Sequence, residues 1–397
     1  MIEAQDIHPV PWDRGWDETI ERQIKQGTIG RAGGDGDSVL FLPGRLLVDV
    51  GAARNRSVQT ALKSARVRPT RSAEREVAAR LGLRLYETGK DSADVRRLVD
   101  VVREINSLAP RSASLDHVLI AGPARWGGDG MPVAIGDPKT VPGSDPGLGK
   151  GITVAVLDTG IADVPFPVDA GPADAEIPDE DGDDQRDPPA GHGTHVAGLV
   201  ASVAPGARIV ARRMLTTVAG VASDLAVARA LLENADADII NCSFSGPTLG
   251  DAPPLIVERA LALLPAKTVV VACAGNNGVD RPQWPAASKG VIAVAAVAPA
   301  QGGKSFLRTD FTNHGWWVDC CAPGLDVPST FLRFGDFKGF ATWTGTSMSC
   351  PQVAGAIAAI ASRDGIDVSL AAYRLVYDPA RPRMQNLGAV VDPANLP

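Results

Sequence analysis

The sequence has few cysteines, and their number is odd. The five among 397 residues are Cys242, Cys273, Cys320, Cys321 and Cys350. A secreted protein held together by disulfides usually has an even, spaced set. These cysteines instead lie in apolar stretches of the second half of the chain, so we expect reduced core residues and a reducing compartment.

Long apolar runs and a secretory leader are also lacking. No stretch approaches the roughly 18 consecutive apolar residues of a membrane helix, and the first residues, Met1 to Asp6, lack a basic segment followed by an apolar one. We therefore predict a cytoplasmic protein with no membrane partner; the alternative is a secreted protein whose leader is missing. The formal net charge of -7 gives no reason to expect nucleic-acid binding.

The remaining composition is that of a globular protein, with 45% hydrophobic and 21% charged residues. A length of 397 residues favours about two domains. We divide the chain into a polar arm over 1–37, an α+β domain over 38–123, a Gly/Pro-rich linker over 124–150 and a second domain over 151–397.

The pattern over 38–123 predicts a compact α+β unit. Strand-like runs over 38–42 and 45–50 are joined by Pro43-Gly44, a turn signal. Apolar residues from Val95 to Ile105 recur at helical spacing, with Asp91 or Ser92 as the cap. The other predicted elements are helices over 57–65 and 72–81 and strands over 83–87 and 115–120.

The second domain begins with a continuous apolar run over 151–157, which is typical of a parallel strand buried on both faces. Similar runs recur over 207–211, 237–241, 268–272 and 291–297, with helical stretches over 192–203 and 223–234. This alternation predicts a doubly wound α/β domain, with a mostly parallel sheet between helices.

Three motifs in this domain contain the parts of a nucleophilic serine site, since a serine hydroxyl needs an imidazole base and a carboxylate that orients it. Asp158 directly follows the first buried strand, at the edge where α/β domains place their sites; the alternative is a turn-capping residue. His192 lies between Gly191 and Gly193 at a helix start. A metal pair with His195 is the alternative there, but no third ligand is nearby, so we interpret His195 as structural.

Ser347 precedes an apolar, small-residue helix, where free backbone N–H groups can bind an oxyanion. A plain N-cap serine is the alternative. Asn276 follows the strand over 268–272 and could donate its side-chain amide to the same oxyanion; a left-handed turn residue before Gly278 is the alternative.

With these surroundings, the order Asp158, His192, Ser347 resembles the subtilase family over about 151–391. The resemblance implies endopeptidase activity on protein or peptide substrates, without a cofactor for the chemistry. It implies that Ser347 is the nucleophile, His192 the general base and Asp158 its orienting carboxylate. Asn276 and the Ser347 backbone N–H would form the oxyanion hole.

The resemblance also implies a substrate-binding edge, formed by Ser243, Phe244 and Ser245. Cys273, Ala274, Gly275 and Gln283 would line the adjoining pocket. Three residues depart from the family pattern. Ser245 replaces a usual glycine and crowds the substrate channel, and Gln352 stands where a histidine is common. Cys350 follows the nucleophile by three positions, where it could confer thiol sensitivity.

An acidic segment before His192 carries carboxylates at alternating positions around a glycine, namely Asp179, Asp181, Asp183 and Asp187. Such spacing resembles a calcium loop, although it is not the full EF-hand pattern. A solvated acidic loop is the alternative.

The domain over 38–123 has the size and pattern of a subtilase propeptide, which would make it an intramolecular inhibitor. A retained regulatory domain is the alternative. For the whole chain, the alternative to an active endopeptidase is a catalytically silent subtilase-fold protein that binds peptides or scaffolds partners.

Overall fold

The computed structural model describes residues 14–34, 38–88, 95–121, 130–300 and 305–396. The predicted caps Asp91 and Ser92 lie outside these ranges. Within them, none of the helices has the length and apolar character needed to cross a membrane.

The helices are α1 (Arg14–Lys25), α2 (Arg56–Ser64), α3 (Arg75–Arg80), α4 (Val95–Leu108), α5 (His192–Val203), α6 (Asp224–Glu233), α7 (Leu255–Leu261), α8 (Thr346–Asp364) and α9 (Val368–Ala372). The strands are β1 (Gly30–Ala32), β2 (Val39–Asp49), β3 (Arg68–Pro69), β4 (Leu83–Glu87), β5 (Ala113–Ile120), β6 (Val133–Ala134), β7 (Thr153–Asp158), β8 (Val168–Asp169), β9 (Arg208–Arg213), β10 (Val221–Ser223), β11 (Ile239–Cys242), β12 (Val269–Cys273), β13 (Val291–Pro299), β14 (Phe306–Arg308), β15 (Cys320–Pro323), β16 (Val327–Phe334), β17 (Phe337–Trp343), β18 (Arg383–Met384) and β19 (Gly388–Val390).

The first unit is an antiparallel sheet in the order β5-β2-β4-β3, with β1 on part of β2. Helices α2 and α4 cover one face through a core that includes Leu46, Val58 and Ile105. These are the α+β elements that the sequence predicts for this region.

Two features of the N-terminal third differ from the sequence predictions. The runs over 38–42 and 45–50 form the single strand β2, because Gly44, with a φ of +78°, bends the strand without reversing it. The predicted polar arm contains a helix and a strand, because buried Ile20 and Ile29 join a hydrophobic cluster of the second unit.

The second unit is built on parallel strands in the order β9-β7-β11-β12-β13-β15. Side chains that alternate along these strands face two cores. Helices α5 and α8 pack on one face and α6 and α7 on the other. This arrangement confirms the predicted α/β fold class.

The two units share a backbone ladder. The last strand of the first unit, β5, pairs antiparallel with β10 of the second, with Ile120 opposite Val221. Part of the predicted linker is also structured, because Val133–Ala134 pairs with β17.

Candidate active site

Three adjacent parallel strands place polar groups at one edge of the sheet. Leu157, Cys242 and Ala272 lie side by side in the register of β7, β11 and β12. Asp158 and Ser243 therefore leave the sheet next to each other. The turn that holds Asn276 follows the third strand at the same edge.

Asp158 and His192 form a buried pair. The distance between His192 Nδ1 and Asp158 Oδ1 is 2.7 Å. His192 is 0% exposed and Asp158 is 1% exposed. An ionised carboxylate can only accept, so Nδ1 of a neutral His192 carries the proton and Nε2 is the basic nitrogen. The Thr159 N–H donates to the same Asp158 oxygen at 2.8 Å.

The start of helix α5 depends on two glycines. Gly191 has a φ of +95°, and a Cβ there would lie 2.4 Å from the Phe331 ring. A Cβ on Gly193 would lie 2.3 Å from the Gly160 carbonyl oxygen and 3.1 Å from Asp158 Cβ. The His192 helix can therefore approach the Asp158 turn only without a side chain at position 193, and it can begin beside Phe331 only without one at position 191.

Ser347 is the second residue of helix α8, whose N-cap is Gly345. Its hydroxyl donates to the Ser243 carbonyl at 3.1 Å, and the Ser243 hydroxyl donates to the Ser347 carbonyl at 3.0 Å. The interpretation of Ser347 as a plain N-cap is therefore wrong. These bonds hold it at the edge where Asp158 leaves the sheet.

Asn276 is oriented by the residue before Ser347. Its Oδ1 accepts from the backbone N–H and the hydroxyl of Thr346, both at 2.8 Å. The Thr346 hydroxyl in turn accepts from the Gly275 N–H at 3.0 Å. With Oδ1 fixed in this way, the orientation of the Asn276 NH₂ group is fixed as well.

His195 and Trp343 lie next to the His192–Asp158 pair. Burial, followed by the nearby His192, lowers the pKa of His195 to about 3, so its ring is neutral. The Trp343 ring meets the His192 ring edge-on at 5.3 Å and the His195 ring at 5.9 Å. Sequence reasoning missed Trp343, because no pattern around it points to the histidines.

The predicted substrate edge is occupied by the chain itself. Ile120 and Ser245 exchange two backbone hydrogen bonds, each 3.0 Å long. The Ala121 N–H donates to the Gly220 carbonyl at 2.8 Å. The segment over 118–121 therefore runs between β10 and Ser245.

The predicted pocket residues lie together beside this edge. A Cβ on Gly275 would lie 2.9 Å from Ser245 Oγ and 3.5 Å from Gln283 Cγ, and Cys273 Sγ lies 3.9 Å from Ser245 Oγ. Ser243 is 0% exposed, as are Phe244 and Ala274, both of which belong to the core of the α6–α7 face. The Phe244 side chain is thus a core group and does not line a pocket.

In the acidic segment, oxygens of Asp179, Asp181 and Asp187 lie within 4.8 Å of one another. Among the described residues, this is the one group of three or more His, Cys, Asp or Glu side chains that could hold a metal ion. Asp183, which the sequence also predicts as a ligand, does not belong to this group; its Oδ1 accepts from the Gln185 N–H at 2.9 Å, and its role as a ligand stays a prediction. The alternative metal pair of His192 and His195 lacks a third ligand in the described structure.

All five cysteines are free and buried, as the sequence predicts. Cys350 is 0% exposed, and burial raises its thiol pKa well above the ordinary value. Its Sγ lies 3.2 Å from Asn241 Oδ1. A buried thiol in this state is unreactive, which argues against the predicted thiol sensitivity.

The sequence around this site is similar to that of known proteins. Residues 149–374 match the sequence model described as the subtilase family. A thermophilic serine proteinase of Bacillus sp. (strain AK1) is 35% identical over 244 residues, which are 55% of this chain and 55% of that protein. Subtilisin Savinase of Lederbergia lenta is 32% identical over 227 residues, 54% of this chain and 78% of that protein. The chain spans little more than half the length of the Bacillus proteinase.

Among solved structures, fervidolysin from Fervidobacterium pennivorans, described as a keratinolytic enzyme related to subtilisin, has a TM-score of 0.59. The match covers 92% of this chain and 63% of that one, at 19% sequence identity. At this identity, the likeness concerns the fold.

Proposed function

The chain belongs to the subtilase family, and from this premise we propose that it is a serine endopeptidase whose N-terminal unit restrains it. The buried 2.7 Å pair of His192 and Asp158 carries the proposal. Ser347 and Asn276 lie at the edge of the sheet where Asp158 follows β7. A hydrogen bond to Ser243 holds Ser347 there, and a hydrogen bond from Thr346 orients Asn276. The substrates are proteins or peptides.

In the proposed reaction, Ser347 attacks the peptide carbonyl while His192 Nε2 accepts its proton. The hydroxyl first turns away from the Ser243 carbonyl, towards the imidazole. Asp158 stabilises the imidazolium, which then protonates the leaving amine. The Asn276 amide and the Ser347 backbone N–H stabilise the oxyanion, and water hydrolyses the acyl-enzyme by the same steps.

A fluorophosphonate probe tests this proposal directly. We expect a covalent adduct on Ser347 in the folded protein after cleavage within 122–150, and none in the equally treated Ser347→Ala. If folded protein freed from its N-terminal unit gives no adduct, the chain is the catalytically silent, peptide-binding alternative.

The proposed restraint rests on the segment over 118–121. Its pairing with β10 and Ser245 occupies the edge that a substrate backbone would use. The adjoining Asp116 accepts from the Leu225 N–H at 3.1 Å, at the N-terminus of helix α6. His117 Nδ1 contacts Asp224 at 2.7 Å, and the Leu249 N–H donates to His117 Nε2 at 3.1 Å.

These contacts join the inhibitory segment to the second unit at buried polar groups, so the segment is held firmly. Salt bridges add to them at the rim, where Arg259 meets Asp49 at 2.7 Å and Arg111 meets Glu258 at 2.6 Å. We expect activity to appear after cleavage within 122–150. Full activity of the uncleaved chain would favour the alternative of a regulatory domain that leaves the site open.

We also propose that Asp179, Asp181 and Asp187 hold a structural calcium ion. Three carboxylates are the ligands that calcium prefers. Burial raises the pKa of Asp187, and the charges of Asp181 and Asp179 raise it further, so a divalent cation would relieve their repulsion. Asp181 forms a salt bridge with Arg22 of α1, at 3.1 Å. A rise in melting temperature on adding calcium, absent in Asp187→Asn, tests the site.

The cytoplasmic location stays a prediction. Five free cysteines suit a reducing compartment, and their burial would also shield them outside the cell. Fractionation of the source cells with an antibody to the chain distinguishes the two locations.

A further inference from the structure

A second carboxyl group lies beside the Asp158–His192 pair. Glu176 is tied by its backbone to the segment that follows Asp158, since its N–H donates to the Ile161 carbonyl at 3.0 Å. Its Oε1 atom is buried, although its stem is half-buried. The predicted site does not use this residue, and no sequence motif marked it.

The hydrogen bonds of Glu176 reach both sides of the pair. The Thr194 hydroxyl, in the first turn of helix α5, donates to Oε2 at 3.0 Å. The Gly191 N–H, directly before His192, and the Thr159 hydroxyl, directly after Asp158, are near enough to the carboxyl group to lower its pKa. One carboxyl group thus lies among residues that flank Asp158 and His192, and it binds one of them, Thr194.

Both threonine hydroxyls also accept hydrogen bonds from the backbone. The Thr194 hydroxyl accepts from the Ala162 N–H at 2.9 Å, and the Thr159 hydroxyl accepts from the Gly193 N–H at 2.9 Å. A hydroxyl has a single proton, so donating it to Glu176 turns the lone pairs of the Thr194 hydroxyl towards the Ala162 N–H. The carboxyl group therefore sets the orientation of the Thr194 hydroxyl.

We propose that Glu176 is a positioning residue that fixes the first turn of helix α5 against the Asp158 turn, and so fixes the geometry of the His192–Asp158 hydrogen bond. The inference rests on the proposed peptidase function of that pair. Burial raises the pKa of Glu176, and the charge of Asp158 raises it further, while the Gly191 N–H and the Thr159 and Thr194 hydroxyls lower it. The polar groups around this carboxyl group thus all flank the pair.

The test substitutes Glu176→Gln, which keeps the size but offers one acceptor oxygen where the carboxylate has two. The matched control is Asp319→Asn, another carboxyl group whose pKa burial raises and which accepts from a backbone N–H, that of Ala293 at 2.9 Å. Asp319 precedes β15, at the opposite end of the parallel sheet from Asp158.

We expect Glu176→Gln to lower kcat about tenfold per active site titrated with the fluorophosphonate, with KM little changed, because an amide NH₂ group then replaces one acceptor oxygen beside the base. Asp319→Asn should keep the wild-type kcat. A kcat within twofold of wild type in Glu176→Gln, or a loss confined to the number of titratable sites, would overturn the proposal.

Proton NMR of the uncleaved chain gives a readout that does not require activity. We expect the Nδ1 proton of His192 to resonate far downfield in wild type and Asp319→Asn, and to shift or broaden in Glu176→Gln. An unchanged resonance in Glu176→Gln counts against the positioning role. A wild-type protein that shows the resonance but never reacts with the probe removes the proposed function and leaves the positioning role standing.

Discussion

His192 Nδ1 and Asp158 Oδ1 lie 2.7 Å apart, and both side chains are buried. A carboxylate in this position fixes the tautomer of the ring and stabilises the charge that the ring acquires. The pair is therefore arranged for proton transfer at Nε2. The contribution of this pair to the reaction depends on the Asp158 carboxylate and on the close approach of helix α5 to the turn after Asp158.

The first prediction removes the charge from this pair. Asp158→Asn should lower kcat/KM by about 10⁴-fold, because the amide holds the wrong tautomer of His192. Asp163→Asn, an exposed carboxylate in the loop that follows, is the matched control and should leave kcat/KM unchanged. Peptide hydrolysis by both cleaved variants measures this. A loss under tenfold in Asp158→Asn would contradict the assigned role.

The second prediction concerns the approach of helix α5. Gly193→Ala should lower the free energy of unfolding by about 1–3 kcal/mol, because its Cβ would overlap the Gly160 carbonyl at 2.3 Å. Activity should fall as well, since the clash separates His192 from Asp158. Gly136→Ala is the control, because no atom lies within 4 Å of its Cβ position. Denaturant unfolding compares the two; equal stabilities would refute the close-packing argument.

The parts of the fold that could be predicted are those with local signals. Continuous apolar runs marked the central strands, and glycines around His192 marked a helix start, because each pattern reflects burial or backbone freedom of nearby residues. The placement of Asp158 after a buried strand followed from the same reasoning.

The remaining parts depend on contacts between distant residues. Glu176 contacts Thr194, and Trp343 contacts His192, which lies 151 positions earlier in the sequence. No sequence motif or spacing predicts either contact. The predicted turn at Gly44 became a bend, because pairing of β2 with neighbours on both sides outweighed the local turn signal.

The third prediction concerns the segment that occupies the substrate edge. Ile120→Pro removes the N–H that donates to Ser245, so the uncleaved chain should become about tenfold more active as the segment detaches. Ile120→Ala keeps the backbone bond and is the control, with activity near that of the uncleaved wild type. Initial rates on a short peptide ester measure the difference. Equal rates for the two variants would show that this pairing does not restrain the site.

The fourth prediction concerns the buried thiols. Native protein should not react with Ellman's reagent, because burial raises the pKa of Cys350 and Cys242 and raises that of Cys321 to about 12. In guanidinium chloride all five thiols should react. Activity should persist after the native treatment, and rapid inactivation there would restore the thiol-sensitive interpretation.

The last prediction concerns the pH dependence of the restraint. Asp116 is 0% exposed, and burial raises its pKa from 3.8 to about 6, with Arg45 opposing the shift and the charges of Asp224 and Glu74 adding to it. When the N-terminal unit detaches, the carboxyl group regains water and its ordinary pKa. The docked state therefore binds more protons between these two values.

It follows that the contribution of Asp116 to docking is fully present below pH 3.8 and is lost as the pH rises through about 6. Linkage predicts that a cleaved N-terminal unit binds about fourfold more tightly at pH 5.5 than at pH 7 through this group. Asp116→Asn cannot ionise, so its contribution should be flat over this range while the Leu225 N–H keeps an acceptor. Inhibition constants at the two pH values, measured for wild type and Asp116→Asn, give the difference due to Asp116. The same pH ratio in both proteins would assign the effect to another group.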